Sequence, residues 1–334
     1  MIKYYNASIL EESAGIIMTT EVAGTQGVLQ LSMIWDWEEK MAALTVSAED
    51  EKRVKGMGFL INKGTDNFSG RIITVNGKVT AQQLKIVSEA AEKFGNGIVT
   101  FTTRLTMEVQ GIPYEKINDF KAYLEKAGMT TGGTGAKVRP VVSCKGTTCQ
   151  YGLIDTFALS EEIHHRFYEG YRQVQLPHKF KIAVGGCPNN CVKPDLNDLG
   201  IIGQVVPEFD AGACKGCKKC PVEVACPMKA AKVIDGILMR DEKICSNCGR
   251  CIGKCNFNAL KGGSQGYKIY VGGRWGKMAE RGTALKTIFF DKEEVLSVME
   301  KALILYKEQG IPGERFAETI TRVGIENIEK QLLG

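Results

Sequence analysis

Twelve cysteines, in groups with two to five residues between most neighbours, are the side chains best suited to chemistry in this 334-residue chain. Such spacing in a long chain favours metal binding over disulfides, which are typical of small secreted proteins. The N-terminal residues lack the basic start, apolar run and cleavage site of a signal peptide, so the sequence predicts a cytoplasmic protein. Thiolates are soft ligands that select zinc, copper and the iron of iron–sulfur clusters.

Eight of the cysteines lie between residues 214 and 255, in two runs. Each run has three cysteines that are two residues apart and a fourth that follows. This is the bacterial two-cluster ferredoxin pattern, in which the fourth thiolate of each run ligates the cluster of the other run. The spacing predicts one [4Fe–4S] cluster on Cys214, Cys217, Cys220 and Cys255. It predicts a second on Cys226, Cys245, Cys248 and Cys251.

Zinc is the alternative metal, because pairs of cysteines at this spacing also build zinc ribbons. A third cysteine at the same spacing in both runs argues against zinc. The pattern departs from the usual one in the five residues before Cys226 and in Asn256, which stands where proline is usual. Neither departure removes a ligand.

The other four cysteines form two separated pairs, Cys144 with Cys149 and Cys187 with Cys191. Each pair follows a predicted strand, which suits one further [4Fe–4S] cluster. The alternative is four spare thiols, and the sequence GGCPNNC around the second pair makes that alternative the weaker one.

Two lysines precede the second cysteine pair within residues 176–201. Strand alternation over residues 179–184 puts Lys179 and Lys181 on one face, opposite the apolar side chains. Two ammonium groups on one face repel each other unless an anion lies between them. A solvated edge strand would explain the lysines equally well, and the neighbouring cysteines favour the anion site.

The elements that would position these residues indicate an α+β fold with a mixed or mostly antiparallel sheet. A helix is predicted from the N-cap Thr80, with Gln83 completing a capping box and Leu84 in the apolar stripe. One strand over residues 99–109 would carry Arg104 on a hydroxyl-rich face. The other predicted strands are 71–79, with a turn at Asn76–Gly77, and 138–143, 179–184 and 267–271. The other predicted helices are 38–54, 114–126, 161–171 and two at the C-terminus. Asp291 with Glu294 is predicted to cap the first C-terminal helix. Trp35 and Trp37 are expected to pack against the rest of the protein.

Composition excludes several classes of function. The net charge of +5 is not gathered in one segment and has no interleaved aromatic residues, so no nucleic-acid partner is expected. The longest apolar runs are too short to span a membrane. The segment GGTGAK at residues 132–137 lacks the spacing of a phosphate-binding loop, and the three histidines do not form a ligand set.

The segment GCPNNC followed by DLGI, together with LPHKFK, resembles the signature of the sirohaem-dependent sulfite and nitrite reductases. The resemblance covers about residues 70–203 and the segment after the cysteine-rich insert. The length of the chain and its cysteine-rich insert most resemble those of the sulfite reductase subunits of the anaerobic and dissimilatory types. Four residues separate Cys144 from Cys149, where the family usually has five.

The resemblance implies a role for each candidate residue. Cys144, Cys149, Cys187 and Cys191 would hold a [4Fe–4S] cluster, and Cys191 would also ligate the sirohaem iron. Lys179 and Lys181 would point at the substrate oxygens. Arg71 and Arg139 fall where the family keeps its substrate arginines, and Arg104 matches an arginine associated with the sirohaem carboxylates.

The predicted organisation has five parts. They are an N-terminal extension of unknown role (residues 1–66), a ferredoxin-like α/β half of the reductase module (67–130), a sirohaem and [4Fe–4S] domain (131–207), a two-cluster ferredoxin insert (208–263) and a return to the sirohaem domain with C-terminal helices (264–334).

The resemblance implies six-electron reduction of sulfite to sulfide, with electrons from a donor such as ferredoxin or a reductase subunit entering through the insert. The basic residues of the insert either offset the negative charge of two clusters or dock an acidic donor. Reduction of nitrite to ammonia could use the same site, and a subunit that transfers electrons without sirohaem is a further alternative. Family catalytic units contain two copies of the module, so an identical chain or a partner subunit would supply the second.

Overall fold

The computed structural model describes residues 46–334 in full and, before them, the backbone of three strands. These are β1 (Ser8–Glu12), β2 (Gly15–Val22) and β3 (Thr25–Val28), an antiparallel sheet in that order. Trp35, Trp37 and the first part of the predicted helix 38–54 lie outside the described residues. Its later part is helix α1 (Ala48–Gly56), which begins where the Ser47 side chain accepts a hydrogen bond from the Asp50 N–H.

The first complete unit is a four-stranded antiparallel sheet with helices on one face. Its elements are β4 (Phe59–Ile61), β5 (Asn67–Ile72), α2 (Ala81–Phe94), β6 (Val99–Phe101), β7 (Met107–Pro113) and α3 (Ile117–Glu125). The strand order is β4-β5-β7-β6. The predicted boundary at residue 66 falls between the paired strands β4 and β5. Residues 46–66 pack with this unit, because Val54 and Phe59 are buried in its core.

The predicted start of α2 is confirmed. The Thr80 side chain accepts a hydrogen bond from the Gln83 N–H, and the Gln83 side chain accepts one from the Thr80 N–H. Asn76 and Gly77 both have positive φ, as the predicted turn requires. Strand β5 ends at Ile72 rather than running to residue 79. Leu84, predicted in the apolar stripe, is instead 42% exposed.

The single strand predicted over residues 99–109 is wrong. Strands β6 and β7 form a hairpin in which Val99 pairs with Val109 and Phe101 with Met107. Leu105, with φ 61°, lies in the reversal. Alternating residue types on both sides of a tight turn imitate one long strand. Arg104 therefore lies at the tip of a hairpin and reaches toward the second unit.

The second unit begins with three parallel strands. They and the helix between them are β8 (Val142–Ser143), α4 (Thr156–Ile163), β9 (Ile182–Gly185) and β10 (Leu199–Glu208). The predicted helix 161–171 is the end of α4 followed by a π-helical turn, His164–Glu169. Since β8 and β9 run in the same direction, Cys144 and Cys187 leave the sheet at the same edge.

The chain then forms a cysteine-rich segment, residues 209–261. It contains α5 (Pro221–Ala225) and a hairpin of β11 (Ala231–Ile234) and β12 (Ile237–Arg240). A small core of Val222, Ala231, Leu238 and Leu260 holds it together, and cysteine side chains pack against that core.

Strands β13 (Gly262–Val271) and β14 (Thr283–Phe289) complete a mixed sheet in the order β14-β13-β10-β9-β8. Strand β13 pairs antiparallel with β10 over its whole length. The α+β class and the mixed and antiparallel sheets predicted from the sequence are confirmed.

Three helices, rather than the predicted two, follow β14. They are α6 (Lys292–Gln309), α7 (Phe316–Val323) and α8 (Ile325–Leu333), the last two separated by Gly324 with φ 91°. Asp291 caps α6 through the Glu293 N–H, so the predicted partner Glu294 is wrong. The helices pack on one face of the sheet through Tyr306 and Phe316, which contact Phe180. No helix in the described part of the chain is long and apolar enough to cross a membrane.

Candidate active site

The five predicted basic residues come together where the two units meet. Arg71 on β5 and Arg139 ahead of β8 both donate to the Gly133 carbonyl oxygen, at 3.1 and 2.5 Å. Glu108 on β7 accepts from Arg71 Nη2 at 2.6 Å. Burial, with a contribution from the charge of Arg71, lowers the pKa of Arg139 to about 10. Arg139 Nε is buried without a hydrogen-bond partner among the described residues.

Arg104 fastens the hairpin tip to the second unit. Its guanidinium donates to the Pro140 carbonyl from Nε and Nη2, to the Ile182 carbonyl from Nη2, and to Asn197 Oδ1 from Nη1, all within 3.0 Å. Burial lowers its pKa to about 9. Since most of its N–H groups bind protein acceptors, Arg104 has little donor capacity for the cofactor carboxylate that the sequence resemblance assigns to it.

Lys179 and Lys181 differ from the arginines because neither ammonium group has a hydrogen bond or ion pair with any residue that the structure describes. Burial lowers the pKa of Lys181 to about 8, with contributions from Arg104 and Arg315. Burial also lowers the pKa of Lys179. Phe180 is fully buried, as the predicted alternation requires, although β9 begins only at Ile182.

Two further residues of the site, Asp198 and Arg315, were not predicted from the sequence. Asp198 is fully buried and accepts two 2.9 Å hydrogen bonds from Arg315 Nη2, while its Oδ2 also accepts the Lys181 N–H. Burial raises the pKa of Asp198, and Arg315 opposes that effect. These residues are far apart in sequence, so no local pattern could have paired them. We use the name basic site for the six cationic residues Arg71, Arg104, Arg139, Lys179, Lys181 and Arg315.

A cavity of about 240 Å³ connects the basic site with the chain that follows Cys191. Arg104, Lys181, Lys193 and Trp275 are among the residues that line it. The Lys193 ammonium lies 5.3 Å from the centroid of the Trp275 ring. Trp275 belongs to a glycine-rich segment for which the sequence alone indicated no role.

The structure also brings the four cysteines outside the cysteine-rich segment together. Burial raises the pKa of the Cys187 thiol, and the nearby thiols of Cys144, Cys191 and Cys149 raise it further. The Gly186 N–H donates to Cys144 Sγ at 3.1 Å. Hydrogen bonds of this kind support thiolates that bind iron–sulfur clusters. The donor set therefore fits a thiolate-ligated cluster.

Two glycines allow the cysteine loops to approach each other. A Cβ atom at Gly146 would lie 2.9 Å from the Gly186 Cα atom, and one at Gly186 would lie 2.8 Å from the Gly146 Cα atom. Contacts this short do not occur, so any larger residue would push Cys144 and Cys187 apart. This explains a glycine directly before Cys187.

The cysteine-rich segment brings together the second quartet predicted for it. Burial raises the pKa of Cys251, and the thiols of Cys245, Cys248 and Cys226 raise it further. Cys226 comes from the other run, as crossed ligation requires. For the first quartet, Cys214, Cys220 and Cys255 pack against the same small core. All twelve cysteines are free of disulfides.

Within residues 46–334 and the earlier strands, no three His, Cys, Asp or Glu side chains are arranged to hold one metal ion. A zinc ion would need its thiolates about 2.3 Å from one centre, whereas thiolates that bind separate irons of a cluster need not approach each other as closely. Metal analysis of the purified protein distinguishes zinc from iron.

Comparison with known proteins agrees with this geometry. Residues 134–333 match the nitrite and sulphite reductase 4Fe–4S domain, and residues 61–127 match the nitrite/sulfite reductase ferredoxin-like half domain. The coenzyme F420-dependent sulfite reductase of Methanocaldococcus jannaschii is 33% identical over 73% of this chain and 38% of its own length. One subunit of the anaerobic sulfite reductase of Salmonella typhimurium is 34% identical over 43% of this chain and 45% of its own length.

These two matches therefore span less than half the length of the curated relatives. A crystal structure of dissimilatory sulfite reductase I has a similar fold, with a TM-score of 0.63 at 23% identity, over 80% of this chain and 69% of that one. The first domain match alone extends over more than half of the sequence. The chain, with its cysteine quartet beside a basic site, belongs to the nitrite and sulphite reductase family.

Proposed function

We propose that this chain is a sulfite reductase unit of the anaerobic or dissimilatory type, which reduces sulfite to sulfide with six electrons. The proposal is carried by the Lys179 and Lys181 ammonium groups, which form no hydrogen bond or ion pair within the described part of the chain and lie in a site with four arginines. Glu108 and Asp198 each bind an arginine there, so the lysine charges remain for an anionic substrate.

The basic site would bind the substrate oxygens and supply protons as they leave. An oxyanion that accepts electrons accumulates negative charge, which fixed cations stabilise. The pKa of Lys181, about 8, is close to neutral pH. Lys181 is therefore mostly protonated at that pH and can still donate its proton. Arg139 keeps its charge and would orient the anion, with Arg71 beside it.

The cofactors proposed are sirohaem and three [4Fe–4S] clusters. Cys144, Cys149, Cys187 and Cys191 would hold the cluster next to sirohaem, with Cys191 shared with the sirohaem iron. The two quartets of the cysteine-rich segment would hold the others, as in a ferredoxin. When bound, these groups store electrons and deliver them to the substrate.

The proposed partners are an electron-donor protein and a second reductase module. Lysines 215, 218 and 219 lie exposed among the cysteines of the first quartet. A donor with an acidic surface would be attracted to them. The curated relatives include proteins named as subunits, which supports an assembly in which an identical chain or a partner supplies the second module.

The test is anaerobic purification, extraction of the pigment with acid, and assays with reduced viologen. We expect extractable sirohaem and faster turnover with sulfite than with nitrite. Faster turnover with nitrite would favour the nitrite reductase alternative. A protein that contains iron and sulfide but no sirohaem would contradict the proposal and favour the electron-transfer subunit.

Crossed ligation gives a second prediction. Cys226→Ser and Cys255→Ser should alter different clusters, because each cysteine completes the quartet of the opposite run. Electron paramagnetic resonance of the reduced variants would distinguish the two signals. Loss of the same signal in both variants, or zinc in place of iron in metal analysis, would contradict the assignment. Asn256→Ser, next to Cys255 and exposed, is the matched control and should retain both signals.

A further inference from the structure

Cys245 differs from the other described cysteines because an arginine side chain lies against its sulfur. Arg240 Nη1 is 3.8 Å from Cys245 Sγ. Backbone N–H groups, among them those of Gly186, Ala230 and Asn247, also reach cysteine sulfur atoms in the described part of the chain. Of these contacts, only the one from Arg240 brings a full positive charge.

Arg240 is held in this position from two sides. Its Nη1 also donates to Asn247 Oδ1 at 2.9 Å, and its Nη2 forms a 2.9 Å ion pair with Glu242. The Arg240 side chain is 27% exposed, whereas that of Glu242 is 80% exposed. Water therefore screens the Glu242 carboxylate more than the Arg240 guanidinium, so we expect the ion pair to offset the charge of Arg240 only in part.

Asn247 connects this contact to the central sheet. Its Nδ2 donates to Gln204 Oε1 at 3.1 Å, and its carbonyl accepts the Val205 N–H at 2.8 Å. Gln204 and Val205 belong to β10, and Gln204 is buried. The loop that carries Cys245 and Cys248 is thus fixed to the strand next to β9, which leads to Cys187.

The second quartet also faces the cysteines of the reductase module. Cys248 and Cys187 line the same cavity, which has a volume of about 340 Å³. Tyr151 and Arg250 also line it, with the Arg250 guanidinium carbon 5.1 Å from the centroid of the Tyr151 ring. A cluster on Cys226, Cys245, Cys248 and Cys251 would therefore be the one placed to pass electrons to the Cys187 quartet.

We propose that Arg240 raises the reduction potential of the cluster held by Cys226, Cys245, Cys248 and Cys251, so that electrons from the donor collect there before they reach the reductase module. A one-electron reduction makes the cluster more negative, and a positive charge at a ligand sulfur stabilises that reduced form. Arg240 acts here as a positioning and tuning residue. The inference rests on the proposed function, because it requires the clusters of the cysteine-rich segment.

The test is a redox titration of anaerobically purified full-length protein, followed by electron paramagnetic resonance. Arg240→Gln should disfavour reduction of this cluster at least tenfold, which is about 59 mV toward negative potential for a one-electron couple. The matched control is Lys243→Gln, which removes the same charge from an exposed side chain two residues from Cys245. The control should shift the potential much less.

Glu242→Gln should shift the reduction potential in the direction opposite to Arg240→Gln. This prediction holds even if the Arg240→Gln variant fails to fold. Removing the counter-charge of Arg240 should shift the potential in the positive direction. Unchanged potentials in both variants, or equal shifts in Arg240→Gln and Lys243→Gln, would overturn the role of Arg240. Absence of the second cluster from the unsubstituted protein would overturn the cluster assignment as well, and iron and sulfide analysis distinguishes that result from an unchanged potential.

Discussion

Lys181→Ala should lower sulfite reduction by at least about a hundredfold while leaving the absorption spectrum of the bound cofactors unchanged. The expected loss follows from the contribution of a positioned general acid, about 10²- to 10⁴-fold in rate. The Lys181 ammonium is unpaired among the described residues, so its removal breaks no ion pair within them. The measurement is turnover with reduced viologen at saturating sulfite.

The pH dependence gives the same residue an independent signature. Since burial lowers the pKa of Lys181 to about 8, its charged form predominates below that pH. Activity that requires this proton should fall as the pH rises through about 8, and bound sulfite should move the fall to higher pH. Lys181→Arg should retain anion binding and lose the fall near pH 8.

Two results would contradict this role for Lys181. One is a change in the cofactor spectrum of Lys181→Ala, which would make the residue structural. The other is an equal loss of activity in Lys85→Ala, a control on the exposed surface of α2.

Asp198→Asn should destabilise the protein by about 3–5 kcal/mol, because it leaves the Arg315 guanidinium buried without its counter-charge. The carboxylate is fully buried and accepts both 2.9 Å hydrogen bonds from Arg315. It also accepts the Lys181 N–H, so the substitution would loosen the strand that carries the lysine pair. Urea unfolding under anaerobic conditions measures the effect as a lower midpoint.

A matched substitution separates this loss from the general effect of removing a carboxylate. Asp119→Asn, in the exposed first turn of α3, should change the free energy of unfolding by no more than about 0.5 kcal/mol. Similar midpoints for the two variants would show that Asp198 does not stabilise the buried cations.

The cysteines and lysines of the candidate site could be picked out from the sequence because their types and spacing are local. Four cysteines in two pairs, and two lysines at strand spacing, are visible without a structure. Capping at Thr80 was equally predictable, since it depends on two residues three positions apart. The quartet of Cys144, Cys149, Cys187 and Cys191 joins two pairs that are far apart in the sequence. The cysteine count was sufficient to suggest that the two pairs come together.

The rest required the tertiary structure. Arg315 binds Asp198 although 117 positions separate them in the sequence. The sequence around either residue does not indicate the pair. The hairpin between β6 and β7 was misread because its two strands continue one alternation through the turn. That error changed the interpretation of Arg104, which fastens the two units together through carbonyl oxygens instead of extending from a strand face.

The ends of the cysteine-rich segment have a consequence for engineering. Glu208 and Gly262 are directly paired at the end of the β10–β13 ladder, so the segment is the loop of one long hairpin. A two-residue turn could join these strands in its place, with almost no entropic cost of closing a loop whose ends already touch. The reductase module could therefore gain or lose the cysteine-rich segment as a single cassette, without any change in the order of its strands.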